Sequence, residues 1–514
     1  MLYYGQVKVF DHIESPCSRQ RSVRVIKTEK TAMLLNLLKK ILQNKILWYM
    51  ASRYMVLAIQ FLASIFLAVK LGAYYFGIWS FVVLLASIGS NCNWGIGNAA
   101  TIMLVQNKDN PEQKQSIPLN SLLLTAFISI IPVAVAVFDR IFGIPIFAKY
   151  HIGNWIYIIA LLIAASYFAS LLMNIIRVKS RIWEITAAQS LWPLSMLILL
   201  FVAKDRLLLN LLIAAYTLSF FVSIGIYLAG GHISFAGKIS FSQIKAIFSK
   251  GFFLFLYNAG FAFIVLSSKL MISKYYSVDE FGYFSFGFSL ANGVIMLIDS
   301  LIFIIFPKMI DMLKEKDPDK LSDALHTMRF PYLYSTHLLF YFVLAAGYFF
   351  FMFIPKYENS FESFILIMFL LLMYSNCFGY NACLLAQNKE KQIVMIVGAA
   401  LVCNILLCWV FINILHVSFN HVILATIITY MLYSAAVNLY TMRTTGIKLR
   451  RGQWKNSTAL KLQPLYWASF AIFLFVPYRW CLVIPFFVYS VINIKVFKKL
   501  ITQIKLLSDD RLRV

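Results

Sequence analysis

Apolar runs of about twenty residues, separated by short polar breaks, recur from residue 46 to residue 497. Each is long enough to cross ~30 Å of hydrocarbon as a helix. The pattern predicts fourteen spans: 46–69, 77–105, 119–138, 154–176, 185–203, 207–229, 250–273, 281–307, 331–354, 361–386, 393–415, 419–441, 464–478 and 480–497. The last two are short and carry Pro477 and Pro485, so a twelve-span core with a re-entrant or tilted tail is the second reading. Ahead of the first span, "MLLNLLKKILQNK" places Lys and Leu at amphipathic spacing, and residues 1–31 read as a disordered or optional extension.

One polar-apolar pattern is written twice. "FGIWSF" (76–81) and "FGYFSF" (281–286) share Phe, Gly, Ser and Phe, and the glycines Gly77 and Gly282 lie 205 residues apart. Each follows an apolar run that ends in lysine, Lys70 or Lys274, and each opens an even-numbered span. Six spans separate them. The chain is therefore expected to be a duplicated six-helix lobe in parallel orientation, related by an axis along the membrane normal. The glycine is expected to serve a tight turn or a close helix approach.

Composition agrees: 61% of the 514 residues are hydrophobic and only 13% charged, about half the charged share of a soluble domain. The net charge of +25 would fit a nucleic-acid partner until the charges are placed. With the N-terminus in the cytoplasm, 36 of the 46 Lys and Arg fall in the N-terminal segment, the cytoplasmic loops and the C-terminal tail, and 8 fall in outer loops. The charge is topological. It predicts both termini inside, a multi-pass protein of the cytoplasmic (inner) membrane, and no nucleic acid. The expected organisation is a basic cytoplasmic segment (1–45), an N-terminal six-helix lobe (46–229), a cytoplasmic linker (230–249), a C-terminal six-helix lobe (250–441), a basic loop (442–463), and a last helix pair with a basic tail (464–514).

"KLGAYYFGIWSF" (70–81) with "NWGIGNA" (93–99), and "SSKLMISKYYSVDEFGYFSFGFSLANG" (267–293) ending in "FPKMI" (306–310), resemble the two matching hairpins of the Wzx-type O-antigen and polysaccharide flippases. These belong to the multidrug/oligosaccharidyl-lipid/polysaccharide exporter (MOP) superfamily. The chain departs from the pattern at Ser268 and Asn93, where the family often has acids. The resemblance implies two bundles around a lumen, with an undecaprenyl-diphosphate-linked oligosaccharide, an O-antigen or related unit, as cargo. Membrane lipid, and beyond it a glycan polymerase and chain-length machinery, are the implied partners. The alternative within the superfamily is a cation-coupled exporter of drugs or other small molecules.

Two cations remain deep inside the spans, Arg53 and Lys269, together with the acid Asp299; Lys250 and Lys495, at cytoplasmic span ends, are counted with the loop and the tail. Charges inside a bilayer are costly, and each is a functional candidate. Arg53 lies near the cytoplasmic end of span one, and snorkelling there competes with a lumen role. Lys269 lies in the outer half of span seven, with Asn258 three turns earlier on the same face. It too reads either as a lumen cation or as an anchor. Span eight carries Ser285, Ser289, Asn292 and Asp299 on one face, and span two carries Ser80, Ser87, Asn91 and Asn98. Asp299 is the coupling candidate, with a helix-tying hydrogen bond as the other reading. The expected lumen candidates are Lys269, Arg53, Asn258, Asn292, Asn91 and Asn98. Neutral polar groups could take sugar hydroxyls, and the cations a diphosphate. Gln60, Asn174, Gln189, Asn376, Asn381 and Asn404 are read as interhelical glue or secondary lining.

No phosphate-cradling loop, catalytic triad or metal-ligand spacing appears, so neither enzyme activity nor a cofactor is expected. The seven cysteines are odd in number and form no C-x-x-C. They read as small packing residues. His337 reads as a packed histidine.

Overall fold

In the computed structural model, residues 45–447 and 461–497 are described, except Lys108, Ser180, Lys316 and Asn388. The structure divides into two units between Ala58 and Ile59. The contacts described below lie within the second.

Among the described residues the chain is helical: α1 Lys45–Asn91, α2 Ile96–Gln106, α3 Pro111–Ile128, α4 Ile130–Phe142, α5 Pro145–Lys149, α6 Ile156–Val178, α7 Ile182–Val202, α8 Asp205–Ala229, α9 Phe241–Tyr275, α10 Val278–Met312, α11 Pro318–Phe353, α12 Phe361–Ser375, α13 Tyr380–Ala386, α14 Glu390–Asn413, α15 Ile423–Thr445, α16 Gln463–Phe475 and α17 Ile484–Ile492. Nine helices among the described residues are long and apolar enough to cross a membrane, or ten if the pair Phe241–Leu256 and Ala259–Tyr275, bent by 53°, is one span. Helix covers each of the fourteen expected segments. α16 and the helical stretch Arg479–Ile492 are the short ones.

The boundaries follow local chemistry. Asn110, Ser240 and Asp317 cap α3, α9 and α11 with side-chain oxygens that accept from the backbone N–H groups of Gln113, Gln243 and Asp319. At Gly72 the backbone of α1 leaves the helix (φ 72°, ψ 170°), which divides it into spans one and two. The last pair packs on α11: α17 and the turn Arg479–Val483 lie against it, and Tyr489 donates to the Tyr334 carbonyl at 2.8 Å.

Besides the bent pair Phe241–Leu256 and Ala259–Tyr275, two expected spans are broken among the described residues. Span two stops at Asn91 and resumes at Ile96, with Trp94 and Gly95 at positive φ. Span ten stops at Ser375 and resumes at Tyr380, with Gly379 at φ 83°. Both breaks read Ser-Asn-Cys followed by a glycine, at 90–95 and 375–379.

Candidate functional site

The duplicated motif is where the two repeats touch. A Cβ on Gly77 would collide with the carbonyl oxygen of Val278, and one on Gly282 would collide with that of Ala73. Ala73 and Val278 are themselves 205 residues apart, so the two contacts are one contact made twice across a pseudo-two-fold axis. Of the two roles expected for this glycine, the structure shows the close approach. Deeper along the same face, Gly293 leaves room for the ring of Phe61.

The axis extends into the loops. Lys149 donates to the carbonyls of Ser273 (2.7 Å), Lys274 (3.2 Å) and Tyr276, at the C-terminal end of α9. Lys356 donates to the carbonyl of Val69 (3.1 Å), one turn before Gly72. Tyr150 donates to the Ser273 carbonyl at 3.1 Å, and Tyr357 to that of Ala68 at 2.7 Å. Ala68 and Ser273, like Val69 and Lys274, are offset by 205. The rings obey the same symmetry. Tyr150 stacks on Phe81 (4.0 Å between centroids) and meets Phe281 edge-on (5.8 Å). Tyr357 packs on Phe286 (4.2 Å) and meets Phe76 edge-on (6.3 Å). All six rings are buried. Helix ends leave carbonyls without intrahelical donors and carry partial negative charge. An ammonium and a phenol hydroxyl supply what those carbonyls lack. Burial lowers the Lys149 pKa from the ordinary lysine value, and the Glu280 carboxylate opposes the shift.

Lys269 is 7% exposed, on α9 beside this region. Its ammonium sits 4.3 Å from the ring centroid of Phe288 on α10. Among the described residues no carboxylate forms an ion pair with it. Phe288, Asn292 and Asp299 share one stripe of α10, since steps of four and seven residues return to the same helical face. Asn292 is partly exposed. The structure thus brings Lys269 to the stripe that holds Asn292. The side chains of Asp299, Asn258 and Arg53 lie outside the described residues. Their backbones lie in α10, α9 and α1, with Arg53 in the first unit.

The span-two stripe needs correction. The break at 92–95 takes Asn98 out of register with Ser80, Ser87 and Asn91. Asn91 turns its amide onto the Ser87 carbonyl of its own helix (2.8 Å). Ser80 and Ser285, expected on lumen faces, are buried near the contact between the repeats. Both positions that depart from the flippase pattern have structural work. The Ser268 hydroxyl lies 2.6 Å from that of Thr426 and accepts from Asn404 at 2.9 Å. Asn93 accepts from the backbone N–H of Gly95 at 2.9 Å, inside the span-two break. Asn404 and Asn381 tie helices together, the latter accepting from Tyr433 at 2.8 Å. Gln189 is partnered with Met173 on the neighbouring helix, at 3.5 Å from its sulfur. His337 is buried beside the packed rings of Tyr341 and Tyr489.

Sequence reasoning missed a second buried cation among the described residues. Arg329, counted as a loop charge, is 1% exposed. α11 begins at Pro318 and runs through Pro331, so Arg329 lies inside a helix rather than before one. It donates to the carbonyls of Asn376 (3.0 Å) and Phe378 and lies 4.4 Å from the ring centroid of Tyr380. It fills the break in span ten. The signal was "SNCFG" itself: a helix interrupted inside a membrane needs a donor for the freed carbonyls.

No protein-family model matches the chain, and no curated protein sequence matches it. Solved structures do. An inward-facing multidrug-resistance MATE family transporter of the MOP superfamily aligns with TM-score 0.61 and 14% identity, over 76% of this chain and 94% of that one. The lipid II flippase MurJ, in an inward closed conformation, aligns with TM-score 0.61 and 14% identity, over 88% of this chain and 100% of that one. A MATE protein in the straight conformation aligns with TM-score 0.52 and 13% identity, over 77% of this chain and 94% of that one. At these identities the likeness establishes architecture: this chain has the all-helical fold of the MOP-type transporters.

Proposed function

We propose that the protein is a flippase that carries an undecaprenyl-diphosphate-linked oligosaccharide, an O-antigen or related surface-polysaccharide unit, from the cytoplasmic to the outer leaflet. It does so by alternating access between lobes 46–229 and 250–441, with both termini in the cytoplasm. The observation that carries this reading is Lys269, a buried ammonium packed on Phe288 on the stripe of Asn292. Among the described residues its charge has no acidic partner, and a buried charge without one costs several kcal/mol. The ring offsets about 0.5–2 kcal/mol of that, and an anionic headgroup would supply the rest. Asn292 beside it offers hydrogen bonds to sugar hydroxyls. The lipid tail stays in the bilayer. The MurJ likeness supports the reading by extent, since all of that chain aligns here.

The second reading is a multidrug or small-molecule exporter, for which the MATE likeness speaks at equal TM-score. A buried lysine repels cationic drugs, which weighs against it. The test is reconstitution in proteoliposomes, following lipid-linked oligosaccharide across the bilayer beside efflux of a cationic dye. Lipid movement without dye efflux is expected. Dye efflux without lipid movement would replace the flippase with the exporter.

A further inference from the structure

We propose that Lys149–Tyr150 and Lys356–Tyr357 are paired clasps that hold the two lobes shut at the end where the duplicated motifs meet. Opening the central path toward that side releases both. The inference rests on the alternating-access reading above.

Each clasp sits just before the fourth span of its own repeat and reaches to the other repeat, onto the carbonyls that close that repeat's first span. The acceptors are backbone, so the contact depends on the position of the helix end and not on its side chains. Ser273 and Lys274 serve one clasp, and Ala68 and Val69 the other, with unrelated side chains.

The rings mark the plane of parting. Each tyrosine lies closest to a phenylalanine of its own repeat, Phe81 or Phe286, and presents an edge to one of the other, Phe281 or Phe76. On separation each tyrosine leaves with its own lobe, and only the edge contacts and the carbonyl bonds are lost. Once wetted, the ammonium and the carbonyls bond to water instead. The net strength of such bonds is therefore modest, which suits a latch that must also open. The pairing is matched on both sides of the axis, so neither lobe can swing free while the other stays fastened.

The test uses the full chain in right-side-out membrane vesicles, with Cys481→Ser to lower background and Ser285→Cys as reporter. Ser285 is buried on the α10 face that carries Gly282. The readout is the rate of labelling by a membrane-impermeant maleimide. Lys149→Met with Tyr150→Phe removes one clasp's polar bonds and keeps its ring; Lys356→Met with Tyr357→Phe removes the other's. Each is expected to speed labelling roughly tenfold, the loss of one charge-assisted contact, and the two together more than either alone. Lys149→Arg and Lys356→Arg should label near the parental rate. Ser80→Cys, at the equivalent position, serves as a second reporter should Ser285→Cys fold poorly. The clasps are refuted if the double-clasp variant elutes as a folded protein and labels no faster than the parent. Faster labelling in a protein that moves no lipid-linked oligosaccharide keeps the clasps and removes the transport reading.

Discussion

Gly77 and Gly282 meet where the two repeats cross: a Cβ on Gly282 would stand 3.2 Å from the backbone nitrogen of Gly77 and inside the carbonyl oxygen of Ala73. The contact is backbone on backbone, the close approach that small residues allow between membrane helices. Gly282→Ala is therefore expected to wedge the crossing apart and cost about 1–3 kcal/mol. Gly398→Ala is the control. Gly398 lies in α14 with nothing within 4 Å of an added Cβ, so alanine there should be neutral or stabilise by up to about 1 kcal/mol through helix propensity. Thermal unfolding of the purified protein in detergent reads both. Equal melting temperatures for the two variants would remove the crossing as a constraint.

Arg329 carries a second prediction. Its guanidinium serves two carbonyls and one ring at once. Arg329→Met removes that donor from the span-ten break, at about 1.5–3 kcal/mol for each bond to a charged group. Arg329→Lys keeps the charge but loses the planar group that lies against the Tyr380 ring, and is expected to fall between methionine and wild type. Hydrogen exchange of the 376–380 amides should accelerate in the same order. Unchanged exchange in the methionine variant would show that the break is held by something else.

The sequence foretold where the apolar helices fall because apolar length is the strongest signal a membrane chain carries. The repeat was legible because Phe-Gly and Ser-Phe kept their spacing. The clasps were not, although they belong to the same symmetry: Lys149–Tyr150 and Lys356–Tyr357 share only two residues, and unequal loops put them 207 apart instead of 205. Arg329 was hidden by Pro331, two residues on, which reads as a helix entry but lies within α11. Helical periodicity placed Ser80 and Ser285 on lumen faces, whereas both are buried near the contact between the repeats. It could not say whether water, sugar or the other repeat covers those faces, because a period reports direction and not neighbour.

The charge count makes a prediction about sidedness. Reporter fusions after residues 110, 180, 240, 320 and 450 should report cytoplasm, and fusions after 148, 276 and 357 should report the outside. The structure sharpens the second set: residues 149, 276 and 356 meet at one end of the bundle through the Lys149 and Lys356 bonds and the paired glycines. All three fusions must therefore agree with one another. A split result would contradict the pseudo-two-fold axis as well as the charge rule.

Lys269 sets stability against function. Among the described residues Lys269 has no acidic partner, so an apolar side chain of similar length there removes the desolvation cost of a buried charge. Lys269→Met is thus expected to raise the melting temperature in detergent while abolishing glycan export at normal protein levels. Lys269→Arg should keep part of the export, since its charge survives while its geometry over Phe288 changes. Phe288→Leu removes the ring that faces the ammonium and should cost about 0.5–2 kcal/mol while retaining export, because the charge itself remains. An anchor that only reaches for the membrane surface behaves differently: methionine would then cost nothing in transport, and the ring change would leave stability unmoved. The informative pair is the melting temperature and the flipping rate of Lys269→Met measured on one preparation. A more stable protein that no longer moves lipid-linked oligosaccharide is the signature of a charge retained for its cargo, and a more stable protein that still moves it at the wild-type rate would dismiss Lys269 from the transport path.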